Sequence, residues 1–290
     1  MPSPRTLFAR EVEKAEGDLD LGRAALLVAK EEYPQLPVDR YTTRLDLLAE
    51  EVRDHLAGEA APPVVLRELV EVLYTRHGFR GNRDEYYDPR NSFLNEVLDR
   101  KLGIPITLGV VILEVGRRLD LPLEGINFPG HFLVRAPGEA VNVLVDPFEG
   151  GRILFEDQAQ ELLDRVYGGM VRMQPGFLDP AGTRTILARL LRNLKGIYMN
   201  EDDSDRAVAV LERLLLLEPD APMELRDLGT ALARAGRSAE AMEPLARYLE
   251  VASDTGDARR IASLLERLRR VEGARADDES TSGGDRGEER

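Results

Sequence analysis

The 290-residue sequence contains no cysteine and no tryptophan. Without cysteine the chain cannot form disulfides, thiolate zinc sites or iron–sulfur clusters, and it has no cysteine nucleophile. Long apolar runs are also missing, because the longest one, over residues 104–113, is about half of what a membrane-spanning helix needs. The first residues turn charged too early for a signal peptide. We therefore expect a soluble, cytoplasmic protein that does not bind membranes.

Positive charge is scarce as well. The chain has 39 Lys and Arg against 53 Asp and Glu, which gives a formal net charge of -14. The average field of such a surface repels phosphate, so nucleic acid is not an expected partner. The phosphate-binding GxGxxG and Walker A motifs are absent, and no group of side chains has metal-ligand spacing. We therefore expect neither a cofactor nor a metal.

The residues that are present predict an α+β protein with a helical C-terminal region. At about 150 residues per domain, the length suggests two domains. Apolar residues recur at helical spacing over 1–75, and the expected α+β core covers 76–182. Helical repeats are expected over 183–272. The segment 273–290 is acidic and has no apolar periodicity, which predicts a disordered tail.

The expected core consists of helices followed by a small antiparallel sheet. One helix is predicted over 91–102 and a strongly apolar one over 107–119, with Pro105 at or just before its start. Short apolar runs bounded by Pro and Gly then predict strands. These runs cover 123–127, 131–135 and 142–146. A last helix is expected over 155–166, followed by a loop.

The C-terminal region repeats itself at an offset of 34 residues. The matching pairs are Leu194 and Leu228, Tyr198 and Leu232, Ala207 and Ala241, and Leu211 and Leu245. This period is typical of tetratricopeptide repeats, in which each unit is a pair of antiparallel helices. A helix over 258–271 would cover the exposed end. A generic helical bundle with accidental register is the alternative.

One of the three histidines, His131, lies in a context that favours chemistry. It follows the turn Pro129-Gly130 at the predicted start of a strand, and Asp146 ends a strand fifteen residues later. Two adjacent antiparallel strands would place these side chains together, and a carboxylate that accepts from an imidazole orients the ring. The pair would form the base and the orienting group of a nucleophilic triad. A structural hydrogen bond is the alternative.

The nucleophile of such a triad is expected at the start of the preceding apolar helix, where the helix dipole stabilises an anion. The hydroxyl at that place is Thr107. Threonine at a helix start more often accepts a backbone N–H as a cap. Asn91, which follows the turn Asp88-Pro89, reads first as a turn or capping residue in the same way.

Four motifs, NSFLNEVL, GIPITL, FPGHFLVR and DPF, occur here in an order that resembles the SirB1 family of transglutaminase-like proteins. The resemblance implies a fold related to transglutaminases and papain-like proteases, followed by tetratricopeptide-like repeats. It also implies that His131 and Asp146 occupy the positions of a catalytic histidine and aspartate. The cysteine of active enzymes falls near Ile106 or Thr107, and here that cysteine is missing.

The missing cysteine favours a non-catalytic interaction protein that binds a protein or peptide partner. Asn91 and Asn127 are the expected binding residues of its cleft. The alternative is a cysteine-independent hydrolase or acyltransferase, in which Thr107 attacks an acyl group or His131 activates water and Asp146 orients the imidazole. The sequence leaves the oligomeric state open.

Overall fold

The computed structural model describes residues 2–56, 58, 60–138, 142–252 and 256–282, with side chains described as far as residue 274. The chain divides into two compact units, Met1–Asn193 and Leu194–Arg290. The division falls inside a helix, Thr183–Asn200.

The first unit begins with a helical layer. Its helices are α1 (Pro4–Val12), α2 (Leu21–Glu32), α3 (Val38–His55) and α4 (Pro62–Val70). A short 3-10 helix over Glu16–Asp18 separates α1 from α2. The regular part of α4 ends at Val70, and the chain continues as a π-helical segment, Glu71–Arg76. This segment holds Tyr74, which contacts the site described below.

The α+β core follows. Its elements are β1 (Arg80–Gly81), α5 (Leu94–Arg100), β2 (Leu102–Gly103), α6 (Pro105–Arg118), β3 (Glu124–Ile126), β4 (Leu133–Ala136), β5 (Val143–Asp146), β6 (Arg152–Phe155), α7 (Ala159–Tyr167) and β7 (Pro180–Ala181). Further 3-10 turns cover Pro89–Ser92, Glu156–Gln158 and Pro175–Leu178. Strands β1 and β2 pair in parallel.

Helix α6 is the centre of this unit. Pro105 occupies its first turn, where a missing N–H costs nothing, and the residues from Pro105 to Ile112 are buried. The helix packs against α2, α3 and α4 on one side and against β3 and β4 on the other. A Cβ at Gly109 would lie 2.5 Å from the Phe132 ring, so glycine permits the close approach of helix and sheet.

The sheet has the strand order β6-β5-β4-β3-β7, and its neighbouring strands are antiparallel. The three predicted strands correspond to β3, β4 and β5, whereas β6 and β7 were not predicted. Strand β6 takes Phe155, the first residue of the predicted helix, and a 3-10 turn takes Glu156–Gln158, so α7 starts only at Ala159. Strand β4 begins at Leu133, and His131 therefore lies in the preceding turn rather than at the first position of the strand.

Helix α5 is shorter than the predicted helix over 91–102. A 3-10 turn precedes it, and Lys101 ends it in the left-handed region with φ of 62°. The backbone of β2 then pairs with β1, which removes Leu102 from the helix.

The second unit contains the end of α8 (Thr183–Asn200), then α9 (Ser204–Leu217), α10 (Pro222–Arg234), α11 (Ser238–Val251) and α12 (Gly256–Ser282). The eight residues of the four matched repeat pairs are all buried. Helix α12 begins near the predicted start of the capping helix but continues to Ser282. This differs from the expected disordered tail over 273–282, because no proline stops the helix and Ala, Arg and Glu favour it. Residues 283–290 lie outside the described residues.

Within the described parts of the chain, no helix is long and apolar enough to cross a membrane.

The repeat packing predicts opposite effects for two glycine substitutions in the second unit. A Cβ at Gly229 of α10 would lie closer than 3.0 Å to the Leu245 side chain and 3.1 Å from the Ala241 carbonyl oxygen. We expect Gly229→Ala to lower the free energy of unfolding by about 1–3 kcal/mol, since overpacking forces neighbouring atoms apart. Urea denaturation followed by circular dichroism measures the effect.

Gly196→Ala is the matched control. Gly196 is exposed on α8, and nothing lies within 4 Å of its added Cβ. Helix propensity alone then raises the free energy of unfolding by about 0.5–1 kcal/mol. Equal effects of the two substitutions would contradict the close approach of α10 and α11.

Candidate functional site

His131 and Asp146 are joined by a hydrogen bond. Strands β4 and β5 pair antiparallel with Val134 opposite Val145, which brings the turn before β4 beside the end of β5. The distance between His131 Nε2 and Asp146 Oδ1 is 2.8 Å. The structure thus brings together the two residues that the sequence singled out.

The Asp146 carboxylate is held by the chain around it. Its Oδ1 also accepts the backbone N–H groups of Phe148, at 3.0 Å, and Glu149, at 3.1 Å. The residue is 1% exposed, and Oδ2 is buried without a hydrogen-bond partner within the described chain. A buried oxygen without a hydrogen-bond partner costs free energy.

The hydrogen bond determines which ring nitrogen of His131 is available. Because a carboxylate accepts, Nε2 carries the proton, and in the neutral ring Nδ1 is left with a lone pair. Among the described residues, no hydrogen bond involves Nδ1. The His131 side chain is 12% exposed. The imidazole can therefore accept a proton or a hydrogen bond from a ligand at Nδ1.

Three aromatic side chains extend from His131 to the surface, and we call them the aromatic wall: Phe148, Tyr86 and Tyr87. The ring centroids of His131 and Phe148 lie 6.4 Å apart, those of Phe148 and Tyr86 5.8 Å, and those of Tyr86 and Tyr87 5.3 Å, all edge to face. Tyr87 is 75% exposed. Sequence reasoning did not identify this wall, although the pair Tyr86-Tyr87 in a polar loop was a visible signal.

Tyr74 supports the turn after Asp146. Its hydroxyl donates to the Pro147 carbonyl oxygen at 2.7 Å. Burial raises the pKa of Tyr74 well above its usual range, and the charge of Asp146 adds to the shift. Gly151 in this turn has a φ of 73°, and a Cβ there would lie closer than 3.0 Å to the Tyr74 ring. The turn is therefore fitted to a neutral, protonated tyrosine.

Thr107 caps α6 and does not meet the histidine. Its Oγ1 donates to the Asn91 carbonyl oxygen at 2.7 Å and accepts the Ile104 N–H at 3.2 Å. Thr107 is fully buried. None of the hydrogen bonds of the described residues joins it to His131. The structure thus shows the capping arrangement and lacks the contact that a threonine nucleophile needs.

The side chain of Asn91 is also hydrogen-bonded within the first unit. Its amide nitrogen donates to the carbonyl oxygens of Glu85, at 2.6 Å, and Tyr86, at 3.2 Å, and its oxygen accepts from Asn82 at 3.1 Å. The residue is fully buried. Its side-chain groups hold the loop that presents Tyr86, and the ligand-binding role expected of Asn91 stays a prediction.

Asn127, the other expected binding residue, is half-buried. Its Oδ1 faces the Nη1 of Arg189 at 3.4 Å. Arg189 was not predicted as a site residue. In the described part of the chain, no group of three or more His, Asp or Glu side chains is arranged to hold a metal ion.

Comparison with known proteins gives family matches for both units. A family model described as the transglutaminase-like superfamily matches residues 39–192, and one described as a tetratricopeptide repeat matches residues 194–277. Their order confirms the predicted fold class, an α+β transglutaminase-like domain followed by helical repeats.

The chain is also similar to several curated proteins. A UPF0162 protein of Xylella fastidiosa is 42% identical over 82% of this chain and 85% of the relative. A UPF0162 protein of Pseudomonas aeruginosa is 34% identical over 69% of this chain and 72% of the relative. Protein SirB1 of Salmonella typhimurium is 28% identical over 74% of this chain and 79% of the relative.

The capping arrangement predicts how Thr107 contributes to stability. Thr107→Val keeps the shape but leaves the Asn91 carbonyl and the Ile104 N–H without their partner, so the free energy of unfolding should fall by about 1–3 kcal/mol. Thr107→Ser keeps the hydroxyl and loses one methyl group, at a cost of about 1 kcal/mol or less. Urea denaturation of both variants measures the difference. A valine variant as stable as the wild type would contradict the capping role.

Proposed function

This chain belongs to the transglutaminase-like superfamily, among the UPF0162 and SirB1 proteins, and on that premise we propose that it binds a protein segment beside His131 without turning it over. The proposal rests on the hydrogen bonds of Thr107 at the start of α6. The hydroxyl of Thr107 is buried and bonded to the backbone. The chain has no cysteine, and among the described residues no hydroxyl is hydrogen-bonded to the His131 ring.

The surroundings of His131 suit recognition of an extended segment. The aromatic wall offers apolar area with polar tips, and exposed aromatic side chains of this kind are enriched in binding surfaces. The free Nδ1 can accept one backbone N–H from the ligand. These features supply a pocket for a side chain and a hydrogen bond for the backbone, the usual combination in peptide recognition.

The repeat region supports the same kind of function. Tetratricopeptide repeats form surfaces that contact other proteins. The proposal includes a location in the cytoplasm, supported by the absence of cysteine, and partners that are neither nucleic acids nor membranes, supported by the net charge of -14.

The second candidate is hydrolysis by water. It is favoured by one specific observation, the carboxylate-bound Nε2 that leaves Nδ1 as a base. A water molecule at Nδ1 would give up a proton as it attacks an amide or ester carbonyl. Acyl transfer through Thr107 has less support, because this hydroxyl is bonded elsewhere.

An array of immobilised decapeptides with systematically varied sequence separates these candidates. Wild-type protein should retain a subset of peptides, and His131→Ala should weaken their binding about tenfold or more, equivalent to about 1.4 kcal/mol. Mass spectrometry of the same peptides after incubation should show no cleavage or modification. His55→Ala is the matched control, since His55 lies on α3 and contacts Glu68.

The outcomes are distinct. Turnover by the wild type that His131→Ala abolishes would establish the second candidate instead. Equal binding by the wild type and His131→Ala would contradict recognition at this site.

A further inference from the structure

Arg189 is a half-buried cation next to the residues described above. It lies on α8 within the first unit, where its Nη1 donates to the Phe128 carbonyl oxygen at 3.1 Å and approaches Asn127 Oδ1 at 3.4 Å. Within the described part of the chain, no carboxylate pairs with it. Burial lowers the pKa of the Arg189 guanidinium, a direction that the neighbouring hydroxyls of Tyr86 and Tyr167 oppose.

Half-buried cations in the described chain are stabilised in different ways: Lys101 lies over the Phe79 ring, Lys30 donates to backbone carbonyl oxygens, and two others pair with carboxylates. Arg118 contacts Glu114 and Asp46, and Lys195 contacts Glu224 and Asp227. Partial desolvation of a charge that has no counter-charge lowers the free energy of unfolding. A carboxylate from outside the chain would supply the counter-charge that Arg189 lacks among the described residues.

Arg189 borders the site that contains His131. The Phe128 carbonyl oxygen that accepts from Arg189 also accepts the His131 backbone N–H, at 3.0 Å. The guanidinium carbon lies 5.9 Å from the centre of the Phe132 ring, next in sequence to His131. Arg189 also interacts electrostatically with Tyr86 of the aromatic wall. The imidazole, the aromatic wall and the cation therefore lie close together in the first unit.

The guanidinium of Arg189 has N–H groups that make no hydrogen bond within the described chain. Among the described residues, its hydrogen bonds come from Nη1, and neither Nε nor Nη2 makes one. These two atoms are also not buried orphans, so solvent reaches them. An arginine edge with two parallel N–H groups matches a carboxylate, which accepts two hydrogen bonds side by side.

We propose that Arg189 binds a carboxylate of the protein segment, with the hydroxyls of Tyr86 and Tyr167 as additional donors. Tyr167 OH lies 3.2 Å from the position of a Cβ on Gly130, so the Tyr167 side chain lies against the turn that precedes His131. Asn127 acts as a positioning residue that orients the guanidinium. The inference rests on the proposed function and deepens it, because it assigns an acidic ligand to a protein whose own charge would otherwise repel one.

The test uses peptide pairs from the array that differ only by Glu or Gln at one position, acetylated and amidated at their ends. Wild-type protein should bind at least one Glu peptide about tenfold more tightly than its Gln partner. Arg189→Gln should bind both members of the pair equally, and Arg189→Lys should retain part of the preference. Arg40→Gln, which removes the same charge from an exposed position of α3, should keep the full preference.

The same Gln peptides with a free C-terminus distinguish two sources of the carboxylate. Preference for Glu places a side-chain carboxylate at Arg189, and preference for the free C-terminus places a terminal one there. Binding that is equal for Glu, Gln and free-terminus peptides would overturn the proposal while leaving peptide binding intact.

A second measurement is independent of peptide binding. N-acetylglutamate amide, added to the wild-type protein, should shift the nuclear magnetic resonance of the Arg189 Nε–H, whereas N-acetylglutamine amide should not. A shift without peptide binding would keep the anion position and overturn the proposed function. No shift with either compound would overturn the anion position.

The stability of the Arg189→Gln variant provides a further test of the proposal. Removal of Arg189 leaves the Phe128 carbonyl bonded to His131, so Arg189→Gln should have a urea midpoint equal to or above that of the wild type. A clearly lower midpoint would assign the cation to the fold and contradict the proposal.

Discussion

One oxygen atom, Asp146 Oδ1, organises the site. It accepts the imidazole N–H of His131 and the backbone N–H groups of Phe148 and Glu149. The same atom therefore ends β5, shapes the turn that presents the Phe148 ring, and fixes the orientation of the histidine that precedes β4. Because one acceptor serves all three donors, the imidazole and the aromatic wall cannot move independently, and the second oxygen of the carboxylate is left buried without a partner.

A second set of hydrogen bonds fixes the other side of the unit. Thr107 at the start of α6 is bonded to the Asn91 carbonyl, and the Asn91 side chain holds the loop that carries Tyr86. The core helix and the ligand-facing loop are thus parts of one buried network. Polar groups in such a network stabilise the fold most when all of them are paired, so loss of the Thr107 hydroxyl would also affect the loop that carries Tyr86.

Local sequence patterns predicted the helical repeats and the pairing of His131 with Asp146. The burial of Leu211 and Leu245 follows from helical repetition, and the placement of His131 near Asp146 follows from two short strands with turns between them. Tyr86 and Arg189 could not be placed in this way, because they come from a distant loop and from a helix assigned to the repeats. Their relation to His131 exists only after the core has packed. The strands β6 and β7 were missed for a similar reason, since pairing with an existing sheet outweighs their weak local preference.

The hydrogen bonds of Thr107 also determine how reactive a cysteine would be at this position. A Thr107→Cys change would place a sulfur where an oxygen now donates to the Asn91 carbonyl, fully buried and facing a carbonyl dipole. Both burial and that dipole disfavour a thiolate, which is the form that attacks a carbonyl. A cysteine at position 107 would therefore be a poor nucleophile as long as the loop before α5 keeps the Asn91 carbonyl in its present place.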